Sequence, residues 1–205
     1  MRGVIEQPFV HVADLLDVEG AEAEAPGFGW TAAGHLHLEH LERVQQVFLR
    51  HDIQYGLEFL GPFELRTRHR YPFVHSIAGV LAIADAAGGT TGFLFDTYHW
   101  YCGSRRLDDV YLAAYNHRRM VNVHLNDGVA GRGPDEQLDL ERELPMSTGI
   151  IDSAMICQLF KRCGYAGPVM CEPMRPTTDR FASAPAEASI AEVARAMERV
   201  EARSV

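Results

Sequence analysis

The sequence predicts an α/β protein in which strands and helices alternate along one parallel sheet. Short apolar runs end at Leu60, Asp96, Leu125 and Glu172, each bounded by turn residues. Between them lie stretches with apolar residues three or four positions apart, the signature of amphipathic helices. The spacers are short, so each strand is followed by a helix and then by another strand, which makes βαβ units and a parallel sheet.

Residues 1–34 are the least regular part: Val4 to Leu16 offers one strand and a turn of helix, and Gly20 to Gly34 reads as loop. From 36 to 51, Leu38, Leu41, Val44 and Phe48 share one helical face opposite Glu, Arg and Gln. His35, His37 and His40 lie at its start, but only His37 and His40 share a face, and they read as solvated. Ile53 to Leu60 is the first strand, interrupted by Glu58, and a helix around 75–87 turns Ile77, Val80, Leu81 and Ala84 inward. Gly92-Phe93-Leu94-Phe95-Asp96 is the second strand and reads as fully buried. A helix over 107–118 follows, with Asp108 and Asp109 suited to its positive end. Met120 to Leu125 is the third strand, and 128–149 a long irregular loop of the kind that carries function. Asp152 caps a helix with Met155, Ile156, Leu159 and Phe160 inward, stopped by Gly164. Pro168 to Glu172 is the fourth strand. A last helix, 186–201, is expected to bury Ile190, Val193, Met197 and Val200.

The 205 residues are 47% hydrophobic and 23% charged, an ordinary globular composition sufficient for one domain. A net charge of −9 argues against nucleic acid, whose binders need basic surfaces, and suits a small polar substrate or a cation. No apolar run spans a bilayer and the N-terminus has no signal-peptide pattern, so no membrane partner and a cytoplasmic location are expected. The four cysteines form no CxxC pair, three of them lie within apolar segments, and they read as reduced core residues.

Each strand carries one metal-capable side chain at or near its end: Glu58, Asp96, His124 and Glu172. A buried carboxylate costs several kcal/mol unless it is paired or binds a cation. Three carboxylates and an imidazole converging on one side of a sheet would repel one another without a metal. That donor set favours Mn²⁺ or Mg²⁺ over Zn²⁺ or Ca²⁺.

The segments GLEFLGP, FDTYHW, VHLND, STGIID and GYAGPVMCEP occur in this order. Together they resemble the xylose-isomerase-like TIM-barrel superfamily of sugar phosphate isomerases and epimerases, over residues 36–202. That group includes ketose 3-epimerases, hydroxypyruvate isomerases and inosose dehydratases. The resemblance implies a metal on Glu58, Asp96, His124 and Glu172, with Mn²⁺ first and Mg²⁺ or Co²⁺ as alternatives. It implies that Glu58 and Glu172 also act as the acid/base pair. It places His99 near a substrate oxygen. The implied substrate is an α-hydroxy ketone, a sugar or sugar phosphate, whose proton next to the carbonyl is moved through a metal-stabilised enediolate. Arg142 is a candidate to reach an anionic or hydroxylated substrate, with a solvated charge as the alternative. Asp127 is expected to cap the turn at Asn126-Asp127-Gly128 rather than to bind a second ion. Tyr98 and Trp100 read as an apolar wall of the site or as core.

A barrel of this type has about 250 residues and eight βα units. Four are recognisable here, so the chain is expected to form the C-terminal half to five-eighths of a (β/α)8 barrel. It would be one domain over 1–205, with the first strands missing and 1–34 poorly defined. Such a sheet leaves open edges, so it is expected to pair with a second copy as a homo-oligomer, to remain an open sheet, or to be a fragment with a misassigned start. Three other readings compete: an inosose-dehydratase-like lyase, an inactive barrel fragment or binding module, and a zinc endonuclease acting at abasic DNA sites. The negative charge opposes the last.

Overall fold

A computed structural model describes residues 32–68, 74–88 and 90–204, with the side chains described from Leu38 onward. The expectations for residues 1–31, and for the side chains of His35 and His37, lie outside the described residues. The chain divides into two compact units, residues 1–53 and 54–205. In the first, α1 (Ala32–Arg50) ends on a basic residue, which its negative terminus favours. Leu41 is buried, Leu38, Val44 and Phe48 are half-buried and His40 is exposed, as the stripe requires.

The second unit is built on four strands: β1 (Gly56–Glu58), β2 (Gly92–Asp96), β3 (Met120–Leu125) and, after the long loop, β5 (Val169–Cys171). They lie in the order β1-β2-β3-β5 and every neighbouring pair is parallel. The register sets Asp96 beside His124 and His124 beside Met170. β2 is buried at all five positions, because helices cover the faces of a parallel sheet.

Around this sheet, α3 (Ile77–Ala86) is capped by Ser76, whose hydroxyl accepts from the Gly79 N–H, and it buries the four residues expected. The helix α5 (Leu107–Tyr115) ends before a short 3-10 turn at His117–Arg119. Asp152 accepts from the Met155 N–H and starts α6 (Ser153–Arg162), which buries Ile156 and Phe160. Gly164, at a φ of +99°, leaves the helix in the left-handed region that favours glycine. The rings of Phe59, Phe95, Phe160 and Tyr165 meet edge to face in sequence, with centroids 5.1–6.3 Å apart. This aromatic chain runs from the segment after β1 through β2 to α6.

The structure differs from the sequence expectations in several places. Short elements escape a periodicity test: α2 (Phe63–Thr67), α4 (Thr97–Gly103) and α7 (Thr177–Ala182) have too few turns to show one. The long loop contains a 3-10 turn at Pro134–Glu136 and the two-residue β4 (Glu141–Arg142), which pairs in parallel with β6 (Arg175–Pro176). In α8 (Ala186–Arg203), Ala196 and Val200 are buried, but Ile190 is 69% exposed. At 100° per residue it lies roughly 100° round the helix from the midpoint of that buried pair. Val169 and Met170 are exposed as well, since among the described residues β5 has a strand neighbour on one side only. All four cysteines are free thiols, but the core reading holds only for Cys102 and Cys157: Cys171 is half-buried, and Cys163, at the end of α6, is exposed. Among the described residues no helix is long and apolar enough to cross a membrane.

Candidate metal and substrate site

All six residues singled out by sequence come together at the carboxyl ends of the strands. Glu58 is the last residue of β1, Asp96 the last of β2, and His124 is one residue from the end of β3. One ligand atom from each of these three lies within 4.8 Å of the other two, so a single ion can reach all of them. Glu172, one residue past β5, brings Oε2 to 3.3 Å from His124 Nδ1, and its N–H donates to Asn126 Oδ1. Strand order places the two glutamates outside and the Asp96–His124 pair between them.

Asp96 has two tasks. Its Oδ1 accepts from the N–H groups of Tyr98 and His99, which caps α4, while Oδ2 faces Arg142 at 2.9 Å and His124 Nδ1 at 3.9 Å. The cap fixes the carboxylate and starts the helix that carries His99, and it leaves Oδ2 facing the cluster. Asn126 also donates to Oδ2. Next to His124, the Asn122 amide lies 3.2 Å from Nε2 while its oxygen accepts from the Val123 N–H.

His99 is completely buried. The Gly61 N–H points at its Nδ1 at 3.2 Å, and Arg142 Nη2 stands 3.3 Å from its Nε2. Nε2 is 3.7 Å from Glu58 Oε1. Gly61 can approach this closely only because it lacks a side chain: a Cβ there would stand 1.8 Å from the His99 carbonyl oxygen and 2.8 Å from the Gly103 nitrogen. Gly61→Ala is therefore expected to push β1 away from α4 and to destabilise the protein by about 3 kcal/mol or more, measured by chemical denaturation. A loss below about 0.5 kcal/mol would mean that the two segments separate without strain.

Arg142 is not a solvated charge. It is 1% exposed and lies between acidic groups, with Nη1 2.9 Å from Asp96 Oδ2 and 2.8 Å from Glu172 Oε2. Nη2 donates to Asp139 Oδ1 at 2.8 Å, and Nε donates to the Asp139 carbonyl. The guanidinium lies 5.0 Å from the centroid of the Tyr98 ring. The Tyr98 hydroxyl donates to the Leu138 carbonyl at 2.6 Å and lies 3.0 Å from that of Glu141. Tyr98 is thus both part of the wall and the anchor of the long loop. Burial opposes the charge on Arg142, but Asp96, Asp139, Glu172 and Glu58 outweigh it and hold its pKa above the usual value.

Asp139 escapes a sequence reading because it lies in an irregular loop without periodicity. With it the cluster holds four carboxylates against one guanidinium. Glu58 registers the imbalance. Burial first, then the charge of Asp96, push its carboxyl well above the usual range; Glu172 and Asp139 add to this and Arg142 opposes it. A divalent cation is the ligand that such a donor set accepts. Asp127 is excluded from it: its two oxygens accept from five backbone N–H groups, those of Gly128, Ile150 and Ile151 at Oδ1 and of Thr148 and Gly149 at Oδ2. It caps its own turn, as expected, and also ties the 148–151 loop to the end of β3.

Comparison with known proteins agrees with this architecture. The family model for the xylose isomerase-like TIM barrel matches residues 11–200. A xylose isomerase domain protein from Alicyclobacillus acidocaldarius superposes with a TM-score of 0.64 at 28% identity, over 82% of this chain and 60% of that one. The IolI protein, solved with a bound zinc atom, superposes with a TM-score of 0.66 at 17% identity, over 82% and 56%. The 3-keto-D-glucoside 4-epimerase of E. coli gives 0.51 at 20% identity, over 80% and 52%. The chain therefore spans less than two thirds of the length of the structures it resembles. No curated protein matches it by sequence.

Proposed function

Because the chain belongs to the xylose isomerase-like TIM-barrel family, we propose that it is a divalent-metal-dependent isomerase or epimerase acting on an α-hydroxy ketone sugar or sugar phosphate. The observation that carries this reading is the convergence of Glu58, Asp96 and His124, with Glu172 beside them, at the carboxyl ends of parallel strands. That is where barrels of this kind place their chemistry. The ion we assign is Mn²⁺, on the strength of three carboxylates and one imidazole.

Held by Glu58, Asp96, His124 and Glu172, the ion would supply Lewis acidity at the substrate's carbonyl and neutralise charge developing on its oxygen. The proton movement belongs to the protein. Glu58 ends β1 and Glu172 follows β5, the two outer strands of the sheet among the described residues, so a sugar lying over Asp96 and His124 has one carboxyl group on each side. One glutamate takes the proton next to the carbonyl and the other returns one to the opposite face or to the neighbouring carbon. In the metal-free cluster, burial and then the charge of Asp96 raise the Glu58 carboxyl above its usual range, and a bound ion would offset that repulsion. His99 donates a hydrogen bond to a substrate oxygen. The buried Tyr98 ring, 5.0 Å from the Arg142 guanidinium, helps to keep water away from the reacting carbon.

The test is a panel of ketohexoses, their phosphates, hydroxypyruvate and an inosose, each incubated with the Mn²⁺-loaded protein. A shifted carbonyl or an inverted hydroxyl in one of the ketoses is the expected product. Loss of water from the inosose alone would convert the assignment to a lyase, and no turnover of any member would overturn it.

A further inference from the structure

The position of Arg142 carries a step beyond that reading. A guanidinium 1% exposed, with one nitrogen within 3 Å of both Asp96 Oδ2 and Glu172 Oε2, stands between two of the carboxylates assigned to the ion. Its other terminal nitrogen, Nη2, lies 3.3 Å from His99 Nε2. Gly61 N–H stands at the other ring nitrogen, Nδ1, and a neutral imidazole accepts at one nitrogen only, so Arg142 and Gly61 contend for a single acceptor. The arginine is therefore well paired on its carboxylate side and contested on its histidine side. Asp139, whose side chain is 21% exposed, holds Nη2 and, through its carbonyl, Nε.

We propose that Arg142 is a built-in competitor of the divalent ion, in that its guanidinium and the ion are alternative partners of Asp96 and Glu172. Loading the site then requires the guanidinium to give up these two carboxylates while it keeps Asp139. Arg142 sets how tightly the ion is held, and it releases His99 Nε2 from the contested contact when it moves. This inference rests on the metal reading of the same cluster. It goes beyond that reading in assigning a residue that weakens the site.

Calorimetric titration of metal-stripped wild-type protein, Arg142→Gln and Arg132→Gln with Mn²⁺ tests it. Arg132 pairs with Glu141 outside the cluster, so its variant removes the same charge without emptying the contested place. Arg142→Gln is expected to bind Mn²⁺ on the order of tenfold tighter than wild type, with Arg132→Gln unchanged. The melting temperature of Arg142→Gln should fall without metal and recover when Mn²⁺ is added, because four carboxylates are left without their cation. Equal or weaker binding by Arg142→Gln, with wild type still binding, would overturn the competitor role and leave the metal site standing. An equal gain in Arg132→Gln would reduce the effect to bulk charge and overturn it too. Failure of every protein to bind would remove both readings. Should Arg142→Gln not fold, Arg142→Lys keeps a charge but loses the Asp139 tethers. It is expected to fall between wild type and the Gln variant, and affinity no higher than wild type's would count against the proposal.

Discussion

Glu58→Gln is expected to abolish turnover while making the metal-stripped protein more stable. The two effects have one cause. Glu58 is held far above its ordinary pKa by burial and by Asp96, Glu172 and Asp139. A carboxyl raised in this way favours the folded state only while it is protonated. As pH rises past its value in the unfolded chain, the unfolded protein ionises freely and the folded one must ionise against burial and repulsion, so stability is lost toward neutrality. Glutamine has the same shape and no charge, so at pH 7 that loss disappears. Each kcal/mol recovered should raise the melting temperature by roughly 2–4 °C in a chain of this size, and the gain should vanish below about pH 4. Turnover should fall by about 10³-fold or more, because a positioned acid/base group alone contributes 10²–10⁴. Glu172→Gln should lose turnover to a similar degree but with little gain in stability, since its side chain is 31% exposed. Wild-type rates in either variant would remove that glutamate from the acid/base pair. A less stable Glu58→Gln would show that the carboxyl is charged and paired in the folded state.

The strands and the residues at their ends were legible because both signals are local. An apolar run with a carboxylate or an imidazole in it or at its end can be read from a few residues, and Glu58, Asp96, His124 and Glu172 all lie at a strand end or within one residue of it. Helices of nine residues or more were legible for the same reason, and α1, α3, α5, α6 and α8 all form within four residues of their expected bounds. What stayed hidden depends on partners far along the chain. Arg142 owes its burial to Asp96, 46 residues away, and to Glu172, 30 residues away. Asp139 enters through Arg142, and neither contact leaves a trace in periodicity or spacing. Asp127 reads locally as a turn cap, but four of its five N–H donors come from 148–151. Ile190 was misplaced because an apolar residue on α8 can fall off the stripe that Ala196 and Val200 define.

His124→Ala is expected to abolish Mn²⁺ binding without unfolding the protein. His124 is the only nitrogen donor among the four assigned ligands, and it stands between the others: Asp96 is its register partner on β2, and Glu172 Oε2 is 3.3 Å from Nδ1. Residues that merely orient a ligand cost 10–100-fold in affinity when lost, so loss of a ligand itself should cost about 10³-fold or more. The fold has other supports. The core under the site is the aromatic chain through Phe59, Phe95 and Phe160, to which His124 contributes no ring. The strand keeps its ladder bonds to β2 and β5 whatever side chain stands at 124. Alanine leaves a cavity beside Asn122, so His124→Gln is the companion that fills much of the volume and offers no imidazole. A titration in which both variants lose the Mn²⁺ signal, with unchanged far-ultraviolet circular dichroism, places the ion at the strand ends. Undiminished binding in both would mean that any bound ion lies elsewhere. The two glutamates would then have to move protons without it.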